Sequence, residues 1–313
     1  MLSVNFAPGV SVNLNLIHVF LAVADTLSFK DAALRVSRSQ SAVSAQIKLL
    51  EDQLGVQLFN RTTRMVSLTV YGELLLHNTR RGMNELNWGF RRLLETAQGD
   101  RGKVVLACSS SIAGTWLPEI LKRFEQDHPN IHVVLSELAV LEMADVILAG
   151  GADFGIGPVF PCKDALNFEP IVDDEFVVLT SSSLLDANQR SVTLEALSRL
   201  PLILTKSHNL SRHLLNAAME ERGIAFEAKY ECTQQHTLIS MVKAGLGVTV
   251  IPKSIAVEFA TKTLRVVPIR GAKVVRHIAI ITAEGHELLP AASSLAALVR
   301  EHVGRSRKSK AHR

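Results

Sequence analysis

Residues 20–76 read FLAVADTLSFKDAALRVSRSQSAVSAQIKLLEDQLGVQLFNRTTRMVSLTVYGELLL, and apolar residues recur in it at helical spacing between explicit stops. With Ile17 just upstream, Phe20, Val23 and Ala24 make one face of a first helix. Ser28-Phe29-Lys30-Asp31 fits a capping box that opens a short second helix, with Ala32, Ala33 and Val36 as its packing face. Ser37-Arg38 turns the chain, and Ser39 is placed to cap a third helix. There Val43, Ile47, Leu50 and Leu54 form a continuous core stripe, ended by Gly55 as a left-handed stop.

The opposite side of this third helix carries Gln40, Ser41, Ser44 and Lys48, all hydrogen-bonding and only one charged. A solvated face more often alternates Glu and Lys. Short hydroxyls and an amide near a helix N-terminus suit close approach to phosphates and base edges in a major groove. A plain polar surface on a small bundle is the competing reading. The next segment favours the first. Asn60-Arg61-Thr62-Thr63-Arg64-Met65-Val66-Ser67-Leu68-Thr69 is a two-stranded ribbon pattern with arginines at its tip, a wing placed to reach backbone or minor groove.

From Leu14 to Leu76 the chain resembles the winged helix-turn-helix of LysR-type transcriptional regulators, in the family's order and without a gap. The recognition helix with its leading turn and the wing then make Arg38, Ser39, Gln40, Ser41, Ser44, Lys48, Arg61, Thr62 and Arg64 the expected DNA contacts. Three departures are visible. Leu27 stands where the family usually has Gly, Ala45 stands where it often has Arg, and the chain begins about a dozen residues early. The missing arginine bears on sequence preference rather than on DNA binding itself.

Thr69 is a credible N-cap for a long helix with Glu73 in its first turn, running to about Gln98. At 1.5 Å per residue it spans on the order of 40 Å, too long to be stable without packing. Leu76, Thr79, Met83, Leu86, Phe90, Leu93 and Ala97 fall on alternating three- and four-residue steps, a seam for a partner helix. Packing on its own chain is the alternative. The resemblance implies a homodimer through this linker, assembly into tetramers, and possible contact with RNA polymerase.

After Gly102 the pattern alternates strands and helices. Strands are expected at 104–108, 131–135, 153–157, 176–180, 201–205, 225–231 and 247–251, with helices at 112–127, 140–148, 210–222, 238–244 and from Pro290. Such alternation implies parallel sheets covered on both faces, with ligands at the carboxyl ends of strands, and two hundred residues suit two sheets side by side. The stretches GKVVLACSSSIAGTWLPEILKRFEQDHPNIHVVL, ADFGIG and MVKAGLGVTVIPKSI resemble the LysR substrate-binding region. That implies an α/β, periplasmic-binding-protein-like, two-lobed effector domain, its lobes joined by crossovers near residues 160–172 and 266–276. A small effector would lie between the lobes. Ser109, Ser110 and Ser111 end a strand and can meet a carboxylate, although capping accounts for one of them. Thr205, Ser207, Thr233 and His236 are the expected contacts from the second lobe. Nothing reads as a basic clamp.

The expected organisation is an N-terminal extension (1–13), a mainly α winged helix-turn-helix (14–70), a linker helix (71–101), the effector domain (102–303) and a basic, disordered tail (304–313). Charge follows these parts. The chain's net +4 over 313 residues averages 11 basic and 8 acidic side chains in 1–101, 18 and 22 in 102–303, and 5 and 0 in the tail. The front and tail suit a polyanion, and the body does not.

Other classes lack their parts. Ser109–Ser111 has no G-x-S-x-G elbow, and Gly155-Ile156-Gly157 and Gly245-Leu246-Gly247 lack a third glycine. His128 and His132 are separated by a helix-breaking Pro129, and no Cys/His cluster suggests a metal. Neither an enzyme nor a resident cofactor is expected. At 5% aromatics the chain offers no stacking platform for RNA. Cys108, Cys162 and Cys232 are too scattered for a disulfide framework or a redox pair, and Cys108 reads as a core residue. No apolar run is long enough for a membrane span and no signal peptide is evident, so a cytoplasmic protein is expected. The functional expectation is an effector-responsive regulator of promoter DNA. The alternative is a small-molecule-binding protein whose winged domain has lost DNA binding.

Overall fold

The computed structural model describes residues 3–7, 10–61, 65–98, 102–161, 166–186, 188–207 and 209–311. The chain divides into a first unit over Met1–Leu93 and a second that begins at Leu94 and holds the rest up to Arg313, except Leu148–Gly150.

The first unit opens with a hairpin where only an extension was expected. Strands β1 (Ser3–Ala7) and β2 (Val10–Asn13) pair antiparallel, and Asn13 caps helix α1 (Leu14–Thr26) by accepting from the Asn15 amide at 2.9 Å. Ser28 caps α2 (Phe29–Arg35) and Ser39 caps α3 (Gln40–Leu54), each accepting the amide three residues on at 3.2 Å. Gly55 ends α3 at φ 69°. Phe20, Val23, Ala32, Val43, Ile47, Leu50, Leu58 and Phe59 bury one shared core. A ribbon of β3 (Phe59–Arg61) and β4 (Val66–Leu68) follows, tied to α3 because Glu51 accepts the Leu58 and Phe59 amides.

Helix α4 (Val70–Gln98) starts at Thr69, whose hydroxyl accepts the Gly72 amide and donates to the Gln57 carbonyl. Gly72 is required there, since a Cβ would fall 2.1 Å from the Leu58 carbonyl oxygen. The seam expected along α4 divides in two. Leu76 and Met83 pack on the α1–α3 core, whereas Leu86, Phe90 and Leu93 are 47%, 64% and 65% exposed. Asp25 fixes α4 to this unit by bonding both Arg35 (2.9 Å) and Arg80 (2.6 Å).

The second unit contains β5 (Lys103–Cys108), α5 (Ser110–Ala113), α6 (Leu117–Asp127), β6 (His132–Glu137), α7 (Val140–Leu148), β7 (Phe154–Pro158) and β8 (Leu166–Ser181). It continues with α8 (Leu194–Leu197), β9 (Leu202–Thr205), α9 (Leu210–Glu220), β10 (Ala228–Cys232), α10 (Gln235–Lys243) and β11 (Thr249–Pro252). Last come α11 (Lys253–Ala256), β12 (Leu264–Pro268), β13 (Val275–Ala283) and α12 (Pro290–Ala311).

Four expectations need correction. The single helix at 112–127 is two, because Pro118 cannot continue a helix but fits the first turn of a new one. The sheets are mixed rather than parallel. One path, β11-β8-β13-β7-β5-β6, joins both lobes, with β8 and β13 antiparallel over most of their length and β12 also on β8; β9 and β10 form a separate parallel pair. The crossover lies later than the resemblance suggested. Along β8 the chain leaves the core of Val104, Leu106, Ile156 and Ile278 after Val172 and enters that of Val178, Leu202 and Val248 at Phe176. Along β13 the same change falls between Val274 and Ile278. Finally, the basic tail is helical to Ala311, and Arg305 pairs with Glu301 one turn earlier.

Candidate DNA interface and effector cleft

Helix α3 turns Val43, Ile47 and Leu50 fully inward. Its outer side presents Gln40, Ser41 and Lys48 exposed and Ser44 half-buried, preceded by exposed Arg38 and Ser39. The Ser39 and Ser41 hydroxyls lie 3.0 Å apart at the helix start, so capping and surface presentation are combined. Ser44 and Lys48 line an open concavity of about 830 Å³ that reaches Gly55 and Phe59, between the helix and the ribbon. Ala45 is exposed on the same side and contributes no donor. Thr62, Arg64 and the Arg61 side chain lie outside the described residues. The backbone of Arg61 pairs with Val66, which places it at the outer end of the ribbon.

In the second unit the expected effector residues fall at carboxyl ends of strands. Ser109 follows β5, and its amide donates to the Ile156 carbonyl at 3.2 Å. It holds the N-cap position of α5, yet its hydroxyl makes no capping bond and instead lies 3.1 Å from the Ser111 hydroxyl. Ser110 is exposed. Thr205 ends β9 beside Cys232, the last residue of β10, and Lys206 donates its amide to the Cys232 carbonyl. Ser207 and Thr233 therefore sit together just past these two strands, both exposed. His236 is exposed on α10, its ring 6.5 Å from that of Phe259. Among the described residues, no hydrogen bond joins this second group to the serines.

A family model described as "LysR substrate binding domain" matches residues 97–304, and one described as "Bacterial regulatory helix-turn-helix protein, lysR family" matches residues 14–73. The chain belongs to the LysR family of transcriptional regulators. A curated relative, the uncharacterized HTH-type transcriptional regulator YfeR of Shigella flexneri, is 32% identical over 293 residues, covering 92% of this chain and 94% of its own. Among solved structures, full-length OxyR from Pseudomonas aeruginosa shares the fold at TM-score 0.66 and 22% identity, covering 93% of this chain and 94% of its own. CbnR in complex with its target DNA does so at TM-score 0.55 and 22% identity, covering 93% of this LysR-type chain and all of that one.

The missing basic clamp is present. Arg276, the second residue of β13, is 6% exposed and pairs with Asp174 of β8, itself 5% exposed. Its Nε and Nη2 donate to Asp174 Oδ2 at 3.1 and 2.9 Å, and its Nη1 donates to the Ser111 hydroxyl at 3.0 Å. Asp174 also accepts from Ser254, at 3.0 Å from the amide and 2.6 Å from the hydroxyl. Ser111 precedes Ile112, a core residue of one lobe, and Ser254 precedes Ile255, a core residue of the other. The ion pair thus ties the carboxyl edges of both lobes to the crossover of this regulator. Its signal in the sequence was the acidic run Asp173-Asp174-Glu175 opposite Arg276-His277, in two segments expected to cross.

Proposed function

We propose that this regulator reads promoter DNA as a homodimer, with α3 in the major groove and the ribbon on flanking backbone or minor groove. A small-molecule effector between the two lobes then changes the bound geometry. The observation that carries the DNA reading is the outer side of α3, where Gln40, Ser41 and Ser44 present neutral donors and acceptors beside a single cation, Lys48. The solved complex of CbnR with its target DNA, a protein of the same fold, supports it. Leu86, Phe90 and Leu93 supply the pairing face on α4. Two wings in such a dimer read an interrupted palindrome, and tetramer formation and contact with RNA polymerase extend the same reading.

The effector reading rests on Ser109, Ser110, Ser111, Thr205, Ser207, Thr233 and His236 at or just past carboxyl ends of strands. An effector acts here only through unequal affinity for two lobe arrangements.

The test is a binding titration of the full chain against its promoter and against scrambled DNA at several salt concentrations. Gln40→Ala and Ser44→Ala are expected to bring the two affinities together, at roughly 1–3 kcal/mol per lost base contact. Lys48→Ala is expected to weaken both about equally and flatten the salt dependence by about one ion per protomer. A chain whose winged domain no longer reads DNA would show no promoter preference to begin with.

A further inference from the structure

A guanidinium carries five N–H donors. In Arg276 two go to Asp174 and one to Ser111, and the other two, one on Nη1 and one on Nη2, have no acceptor among the described residues. Asp174 has no oxygen to spare, since Ser254 bonds both. Buried donors without acceptors are costly, and here they lie beside the serine run at the end of β5. Asp174 holds the guanidinium from the Nε–Nη2 side, which leaves the Nη1–Nη2 end as an open fork. That end matches the two oxygens of a carboxylate, whereas a neutral hydroxyl would meet only one N–H. Charge points the same way. Burial lowers the hold of Arg276 on its proton more than Asp174 restores it, so the cation is under-compensated where it stands.

We propose that Arg276 is the charge-recognising residue of the effector cleft, and that the effector is a small carboxylate bound on its Nη1–Nη2 fork. This rests on the reading of the cleft as the effector site. The Ser109 and Ser111 hydroxyls, 3.1 Å apart, flank the bound carboxylate, and Nη1 exchanges its bond to Ser111 for one to the ligand. Because Ser111 belongs to one lobe and Arg276 to the crossover, that exchange changes what holds the lobes together.

The experiment follows thermal melting and calorimetric titration of the full chain with sodium acetate, pyruvate, succinate, benzoate and salicylate, each matched by its neutral amide. At least one acid is expected to raise the melting temperature while its amide does not. Arg276→Gln is expected to weaken that acid roughly 10- to 100-fold. If Arg276→Gln fails to fold, the wild-type contrast of acid and amide decides. Amides that bind as tightly as the acids, or no acid that binds, would overturn the carboxylate assignment. Acid binding unchanged in Arg276→Gln but lost in Ser109→Ala overturns the role of Arg276 and leaves the cleft standing. Binding unchanged in both variants removes the cleft reading as well.

Discussion

Asp174 and Arg276 are direct cross-strand partners in the β8–β13 ladder, at the level where both strands pass from one apolar core to the other. Their side chains, at 5% and 6% exposure, form an ion pair held from both lobes by Ser254 and Ser111. A buried pair gains little over a well-packed apolar one, but halving it leaves an unpaired charge in a dry site.

Asp174→Ala is therefore expected to destabilise the chain by about 3–5 kcal/mol. The double variant Asp174→Leu, Arg276→Met is expected to lose much less, since it removes both charges and keeps volume. Urea unfolding of the singles and the double checks this as a cycle. Additive single effects would mean that the two side chains do not act as a pair.

Leu27 ends α1 at φ 47°, ψ 29°, in the left-handed region that a branched side chain occupies at a cost of about 1–2 kcal/mol. It is 49% exposed, so little packing repays that cost. This explains physically why glycine is the usual residue at this turn in the family. Leu27→Gly is expected to stabilise the first unit by about 0.5–1 kcal/mol after the extra freedom of the unfolded chain is subtracted. A thermal melt of the winged domain's transition reads the effect, and an unchanged or lower midpoint would contradict it.

Cys108 lies wholly inside the core at the end of β5, and burial, with Glu137 adding to it, pushes its thiol up to about 12. At pH 8 only about one molecule in 10⁴ then carries the reactive thiolate. Iodoacetamide is expected to leave Cys108 unmodified in the native chain and to label it once the chain is unfolded. Half-buried Cys232, beside the Met241 sulfur at 3.5 Å, should react first. Peptide mass spectrometry distinguishes the sites. Similar native rates at both would show that the β5 core opens readily.

Much of this architecture is legible in the sequence because it is written locally. Ser28, Ser39, Gly55 and Thr69 each punctuate a helix through bonds to residues at most three positions away, and the structure uses all four. The strand at 104–108 and the helix at 140–148 are likewise marked by their own composition. Sheet direction is not local. The antiparallel union of β8 with β13 joins residues about a hundred positions apart, and nothing within either segment states it. The effector serines could be placed because they follow a strand. Arg276 could not be, since its neighbours Lys273 and His277 are equally polar and only the fold decides which of them is buried. Ser254 was invisible for the same reason. The linker shows both limits at once, since a correct helical seam does not say which of its residues the same chain will cover.

That division of α4 yields a last expectation. Leu76 and Met83 are spent on the α1–α3 core, while Leu86, Phe90 and Leu93 remain on an apolar stripe of the helix's outer half. If this stripe is the dimer face, Phe90→Glu places a charge at its centre, where a partner side chain would have to desolvate it. Light scattering is expected to show the variant shifting from dimer to monomer, with its promoter affinity falling as one wing replaces two. The fold of each protomer should survive, since Phe90 is 64% exposed. Met83→Glu should behave in the opposite way, lowering the melting temperature of the first unit because its side chain packs on that unit's own core. A Phe90→Glu chain that stays dimeric and binds its promoter as before would assign the pairing to another surface.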